Sequence, residues 1–176
     1  MIVISTSLGS SLVALLAANR PEWAKKIAGH IMISPNFKIA DPDAFLLNWP
    51  WARTFVPWII GDQRGEKSKN PNINHGWTLP HSTLSLMPMA KITSEVSKAA
   101  IDQVTTPALF IYSPNDQVVS AKAIEEAISK WGGPGESVIL ERSGHKSDHV
   151  IVGDILSPST TEDVIKAAKR WLNTHY

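Results

Sequence analysis

Residues 1–19, MIVISTSLGSSLVALLAAN, constrain this chain more than any other stretch. An apolar, β-branched run (Ile2, Val3, Ile4) leads into Ser5-Thr6-Ser7-Leu8-Gly9. A helical pattern follows at once over residues 10–18, with Leu12, Val13, Leu15 and Leu16 on a face turned to a core. This reads as strand, sharp turn and helix, with Ser7 at the apex. Such a turn lifts a hydroxyl clear of a sheet and aims helix N–H groups at it. The usual pattern is Gly-x-Ser-x-Gly. Here Ser5 stands at the first glycine, where a small side chain lets strand and helix approach closely. Taken alone, the five residues also fit an exposed Ser-Gly turn, so the rest of the chain has to decide.

Asn19-Arg20-Pro21 ends the first helix, because proline cannot continue its hydrogen-bond ladder. Residues 23–27 bring the chain back through a short turn or helix. Residues 30–34 (HIMIS) form a second apolar strand stopped by Pro35-Asn36. Strand, helix and strand within so short a stretch make a βαβ unit with parallel strands. The regular pattern resumes after Pro107 with a strand at 108–113 and a Pro114-Asn115-Asp116 turn. Ser120 is placed to cap a helix over 121–131, which Gly132-Gly133-Pro134 terminates. A strand at 137–142 and a polar loop at 143–148 follow. Ser159-Thr160-Thr161-Glu162 has capping-box spacing and should open a closing helix through Trp171.

Residues 36–99 differ in kind. They hold half of the 12 prolines and four of the 7 tryptophans. Helices are expected at 43–49, 52–60 and 84–100, the last open to a break at Pro88, with a polar loop at 61–75. The stretch reads as an insertion. It either packs its own tryptophans as a small helical subdomain or caps an apolar pocket, and the two readings are compatible.

Hydrophobic residues make up 43% and charged residues 19% of the 176, which marks an ordinary globular chain of one domain's size. A net charge of +1 without a long basic run gives no reason to expect nucleic acid or an anionic membrane as partner. Without cysteine there is no disulfide, thiol catalysis or Cys-ligated metal. No apolar stretch reaches the length of a membrane span, so stable membrane insertion is not expected. No basic flank precedes the first apolar run, so the start does not read as a signal peptide, and the cytoplasm is the expected compartment.

Three polar residues follow three predicted parallel strands at their C-terminal ends: Ser7, Asp116, and a histidine at 145 or 149. In an open parallel sheet those ends share one side, where ligands bind. A serine needs a base within hydrogen-bond reach, and the base needs an acid that holds its tautomer. Each residue also has an ordinary reading, as a turn aspartate or a loop histidine. His145 and His149, with Asp148 and Asp154 nearby, even have metal-site spacing, although Gly144 and the polar loop argue against the helix that would bring them together.

The segments ISTSLGSS, ISPN, TPALFIYSPNDQVV and HVIVGDILSP resemble the C-terminal portion of an α/β-hydrolase, of the cap-bearing esterase/lipase, serine-aminopeptidase-like type. The resemblance implies a partial α/β-hydrolase fold: a mostly parallel half-sheet of about four strands with flanking helices and an inserted helical cap. The core would be residues 1–35 and 100–176 and the cap residues 36–99. It also implies a nucleophile at Ser7, the acid at Asp116, and the base at His149, favoured over His145 because His149-Val150-Ile151-Val152-Gly153-Asp154 matches the family's histidine segment. The Leu8 backbone N–H would be one oxyanion donor. No cofactor or metal is implied. The expected partner is a small ester or lipid substrate, cleaved through an acyl-enzyme. A carboxylate would stand at the elbow of a dehalogenase, where this chain has Ser7. Against the family pattern, the first strands of the sheet and the loop carrying a second oxyanion donor are expected to be missing. That leaves two further expectations: a homodimer through the exposed N-terminal edge strand, and, as the alternative to an esterase, an incomplete fragment that only binds or dimerises.

Overall fold

The apolar runs become strands in the computed structural model, which describes residues 1–176. In chain order the elements are β1 (Ile2–Thr6), α1 (Leu8–Asn19), α2 (Pro21–Ala24), β2 (Gly29–Ile33), α3 (Ala52–Ile60), β3 (Gln63–Arg64), α4 (Pro71–Gly76), β4 (His81–Ser82), α5 (Leu86–Val96), β5 (Ala108–Tyr112), α6 (Ala121–Lys130), β6 (Gly135–Ile139) and α7 (Pro158–His175). Three short 3-10 turns, Pro42–Asn48, Thr83–Ser85 and Ile101–Gln103, lie among them. The chain divides into two units, Met1–Asp41 with Ile92–Tyr176, and Pro42–Lys91.

The first unit is built on a parallel sheet in the order β1-β2-β5-β6. The central strands β2 and β5 are buried along their whole length, which is why GHIMI and ALFIY are nearly unbroken apolar runs. Their side chains alternate between two cores. Met32, Phe110 and Tyr112 pack with Ala14 and Ala17 of α1 and Ile124 and Ala127 of α6. Ile31, Ile33, Leu109 and Ile111 pack with Val164 and Trp171 of α7. Helices thus cover both faces, the arrangement a parallel sheet requires. Each large side chain buried in this way contributes roughly 1.5–3 kcal/mol of transfer free energy. β1 lies at the sheet edge and leaves Ile4 64% exposed.

One residue of β2 is out of character with its surroundings. His30 is fully buried, with Nε2 2.9 Å from Thr106 Oγ1 and its ring edge-on to Trp131 at 5.4 Å. Its Nδ1 has no hydrogen-bond partner. Burial lowers its pKa from 6.5 to about 4. The unfolded chain therefore takes up a proton near pH 6.5 that the folded chain refuses until about pH 4. This residue's contribution to stability is complete above pH 6.5, falls as the pH drops through that window, and levels off below about 4. The full loss is about 3 kcal/mol. Urea unfolding at pH 7 and pH 4.5 should show the wild type losing about 2–3 kcal/mol more than His30→Leu. Equal losses in the two proteins would contradict the account.

Two boundaries differ from the sequence pattern. The last strand runs over Gly135–Ile139 rather than 137–142, because its register sets Gly135 against Ala108 and Ile139 against Tyr112. After Leu140, whose N–H still reaches Tyr112 O at 2.9 Å, the chain leaves the ladder. The Glu141 carbonyl then accepts from Asn115 Nδ2 at 2.7 Å. The closing helix begins at Pro158, and the capping box is not formed. Proline at the first helical position loses no bond there, and Ser159 Oγ instead donates to the Ser143 carbonyl at 3.3 Å.

The second unit has a small core of Ala52, Val56 and Met87, flanked by Leu47 and Phe55. Residues 61–75, expected as loop, contain structure. β3 pairs antiparallel with β4, and α4 starts at Pro71 behind Asn70, whose side chain accepts from Asn72 N at 3.0 Å. The helix expected over 84–100 is shorter. α5 continues past Pro88 without a break, because this proline sits in the first turn, where its missing N–H has no intrahelical acceptor. Three of this unit's four tryptophans stay largely outside its core. Trp49, Trp51 and Trp58 are 55%, 81% and 89% exposed, since a core of three small or linear side chains leaves little to cover them.

Candidate active site

The turn between β1 and α1 is strained at one residue. Ser7 has φ 50° and ψ −121°, a conformation that costs a non-glycine residue about 1–3 kcal/mol. Three bonds hold it there. Ser7 N donates to Ile33 O at 2.9 Å, and Ser7 O accepts from Ser10 N at 3.0 Å and from Asn36 N at 3.1 Å. The elbow is thus tied to the end of β2 as well as to its own helix. Ser5, in place of the usual glycine, is buried with its Oγ 3.1 Å from Ser10 Oγ, so the extra hydroxyl is satisfied within the turn. Leu8 is the first residue of α1. The first N–H groups of a helix lack intrahelical acceptors and carry its positive dipole end, so Leu8 N–H can face an anion beside Ser7.

Asp116 lies in the turn after β5 with its carboxylate buried. Oδ1 accepts from Val118 N at 2.7 Å and Val119 N at 2.9 Å, which fixes the rotamer. Oδ2 is left for one partner, His149 Nδ1, at 2.8 Å. On the far side of the same ring, His149 Nε2 is 3.0 Å from Ser7 Oγ. The His149 side chain is only 14% exposed. Ser7, His149 and Asp116 therefore form one hydrogen-bonded line across three loops that follow three strands of the sheet.

His145 takes no part in that line. Its Nδ1 is 2.9 Å from Ser147 Oγ. Burial is the largest cause lowering its pKa, followed by the nearby Lys146 and His149, with Asp148 opposing. Both nitrogens of His149 are engaged by Asp116 and Ser7, so the metal-like spacing of the two histidines does not become a shared site. Sequence pattern does not single out Ser34, yet its hydroxyl donates to the His149 carbonyl at 2.7 Å. The signal that could have found it is the one that found the others: it ends a parallel strand on the same side of the sheet.

A relay of this kind makes a hydroxyl nucleophilic. In such a relay an imidazole can accept a serine proton at Nε2 while a carboxylate holds the Nδ1 proton and stabilises the cation that forms.

No protein-family model matches the sequence, and no curated protein matches it. Solved structures do. A metagenome-derived lipolytic enzyme is similar over 99% of this chain and 65% of its own, with a TM-score of 0.64 and 21% identity. The monoacylglycerol lipase of Paleococcus ferrophilus is similar over 99% of this chain and 68% of its own, at 0.64 and 18%. The monoglyceride lipase of Saccharomyces cerevisiae is similar over 98% of this chain and 61% of its own, at 0.67 and 14%. The fold, a parallel sheet with helices on both faces, is the α/β-hydrolase fold that these structures share. The chain spans about two thirds of the length of these neighbours.

Proposed function

We propose that this chain carries the catalytic residues of a serine hydrolase acting on carboxylic esters. The observation behind the proposal is the continuous line Asp116 Oδ2–His149 Nδ1 at 2.8 Å and His149 Nε2–Ser7 Oγ at 3.0 Å, with Ser7 held in a strained elbow. In this reading Ser7 Oγ attacks the ester carbonyl and its proton passes to His149 Nε2. The carbonyl oxygen becomes an oxyanion facing Leu8 N–H. The C–O bond to the alcohol breaks as His149 returns the proton to the leaving oxygen, and an acyl group remains on Ser7. Water, deprotonated by His149, then releases the acid and restores the serine. Lipid and small acyl esters are the substrate class, which agrees with the lipolytic neighbours. None of these steps calls for a cofactor.

A second reading has an observation in its favour. Ile4 and Leu12 are 64% and 49% exposed, and a side chain added at Gly9 would meet nothing within 4 Å. This side of the elbow is open, as it would be in an incomplete unit that only binds or dimerises. Hydrolysis of p-nitrophenyl acetate and butyrate by the wild type and by Ser7→Ala separates the two. The esterase reading expects turnover by the wild type and only the uncatalysed rate from Ser7→Ala. Identical background rates for both proteins would favour the second.

A further inference from the structure

Four residues other than glycine have positive φ: Ser7 at 50°, Ser34 at 44°, Trp51 at 60° and Asp148 at 48°. Three of the four meet at His149. Ser7 is its hydrogen-bond partner, Ser34 bonds its backbone carbonyl, and Asp148 is the residue just before it. Strained backbone persists where the surroundings over-determine it, and it gathers where geometry matters to function.

The locks are specific. Ser34 is fully buried at the end of β2, and its N–H donates to Ile111 O at 2.8 Å, extending the sheet ladder. Its hydroxyl then donates to His149 O at 2.7 Å. The C-terminal side of the histidine's own peptide is thereby anchored to the rigid centre of the sheet. On the N-terminal side, Asp148 Oδ1 accepts from Ser143 N at 2.8 Å and Ser143 Oγ at 3.1 Å, and Asp148 N donates to His145 O at 2.9 Å. These bonds close residues 143–148 into a ring. Ser147 O accepts from Gln117 N at 2.9 Å, which stitches the ring to the residue after Asp116. Neither Ser34 nor Asp148 has a hydrogen bond to the imidazole ring or to the Ser7 hydroxyl.

We infer that Ser34 and Asp148 are positioning residues that set the His149 imidazole between Asp116 and Ser7 by gripping its backbone from both sides. The inference rests on the triad reading above. It explains why two residues other than glycine hold a conformation that glycine would hold freely: the side chain is needed and glycine has none.

The variants follow from the chemistry. Ser34→Gly and Asp148→Gly allow the same backbone conformation without strain and remove the side chain that carries the hydroxyl or the carboxylate. Asp148→Asn keeps an acceptor at the same place and tolerates the left-handed region. Two measurements are made on the full chain: the rate at which a fluorophosphonate labels Ser7, and the low-field NMR resonance of the His149 Nδ1 proton in its bond to Asp116. The inference expects both glycine variants to label roughly 10- to 100-fold more slowly, the scale of a misplacement near 1 Å. Their low-field proton should broaden or vanish while the sheet resonances stay native. Asp148→Asn should recover most of the rate lost in Asp148→Gly. Wild-type labelling with an intact low-field proton in both glycine variants overturns the inference. So does a loss of rate that only tracks lost thermal stability while that proton stays sharp. If the wild type is not labelled at all, the triad reading fails, and the proton resonance alone decides: its survival in both glycine variants overturns positioning, and its loss in a native sheet supports it.

Discussion

Asp116→Asn is expected to leave the fold intact and to slow ester hydrolysis by about 10,000-fold, the scale of this exchange in a serine–histidine–aspartate triad. The reason lies in the other oxygen of the carboxylate. Oδ1 accepts from Val118 N and Val119 N at 2.7 and 2.9 Å, and these bonds build the turn after β5. An asparagine satisfies the same two donors only by keeping its carbonyl oxygen there. Its amide NH2 then faces His149 Nδ1, where Oδ2 now stands at 2.8 Å. Two donors cannot bond each other, so the imidazole must turn Nδ1 into an acceptor and carry its proton on Nε2. That proton points at Ser7 Oγ, 3.0 Å away, and the ring can no longer accept the serine proton. Circular dichroism and thermal melting should match the wild type while p-nitrophenyl butyrate turnover collapses. Turnover within tenfold of the wild type would show that the Asp116–His149 bond does not set the tautomer.

The largest stability effect is expected at Gly132, well away from the site. The residue follows α6, and the sequence reads it as a helix stop. Its φ is not positive, so left-handed backbone is not the reason for glycine. Close approach is. A Cβ at Gly132 would lie 2.0 Å from Asp102 O and 2.6 Å from Asp102 C, and one at Gly133 would lie 2.4 Å from Thr105 O. These are backbone atoms of the segment that enters β5, and they cannot swing aside as a side chain can. The same turn delivers Pro134 O to Ala108 N at 2.8 Å and so starts the β5–β6 pairing. Gly132→Ala must therefore pull the turn off the sheet. It should cost more than about 4 kcal/mol, in the exceptional range for one substitution, against a typical total of about 5–15 kcal/mol. Gly9→Ala is the contrast. Nothing lies within 4 Å of a Cβ there, and the position is helical, so a change within about 1 kcal/mol, stabilising in sign, is expected. Urea unfolding of the two variants checks both. A Gly132→Ala protein as stable as the wild type would show that the turn does not sit on the Asp102–Thr105 backbone.

What could be read from sequence, and what could not, follows the range of the forces involved. β2 and β5 are legible because strands buried on both faces must be apolar throughout, β1 because its β-branched run leads straight into a Ser-x-Gly turn, and polar residues just beyond all three stand out. Ser7 and Asp116 were reachable in this way. The choice between His145 and His149 was not, since both occupy one polar loop. Only the resemblance favoured His149, and the bonds of Asp148 and Ser34 that orient it span up to 115 residues. β6 lay two residues earlier than its apolar pattern because register against β5 overrode local composition. The capping box failed because Pro158 begins the helix before Ser159 can cap it. In the second unit, α4 carried a readable signal in Asn70-Pro71, but β3 and β4 are two residues each and leave no periodicity. The exposed tryptophans were beyond reach, because burial depends on how much core a unit can assemble.

The central claim is that Ser7 is an activated nucleophile, and covalent labelling reads this without a choice of substrate. The intact mass of the full chain after brief exposure to a fluorophosphonate should show one adduct, mapped to Ser7, absent from Ser7→Ala and strongly slowed in His149→Ala. A natively folded wild type that acquires no adduct, or acquires it at another serine, would contradict the account.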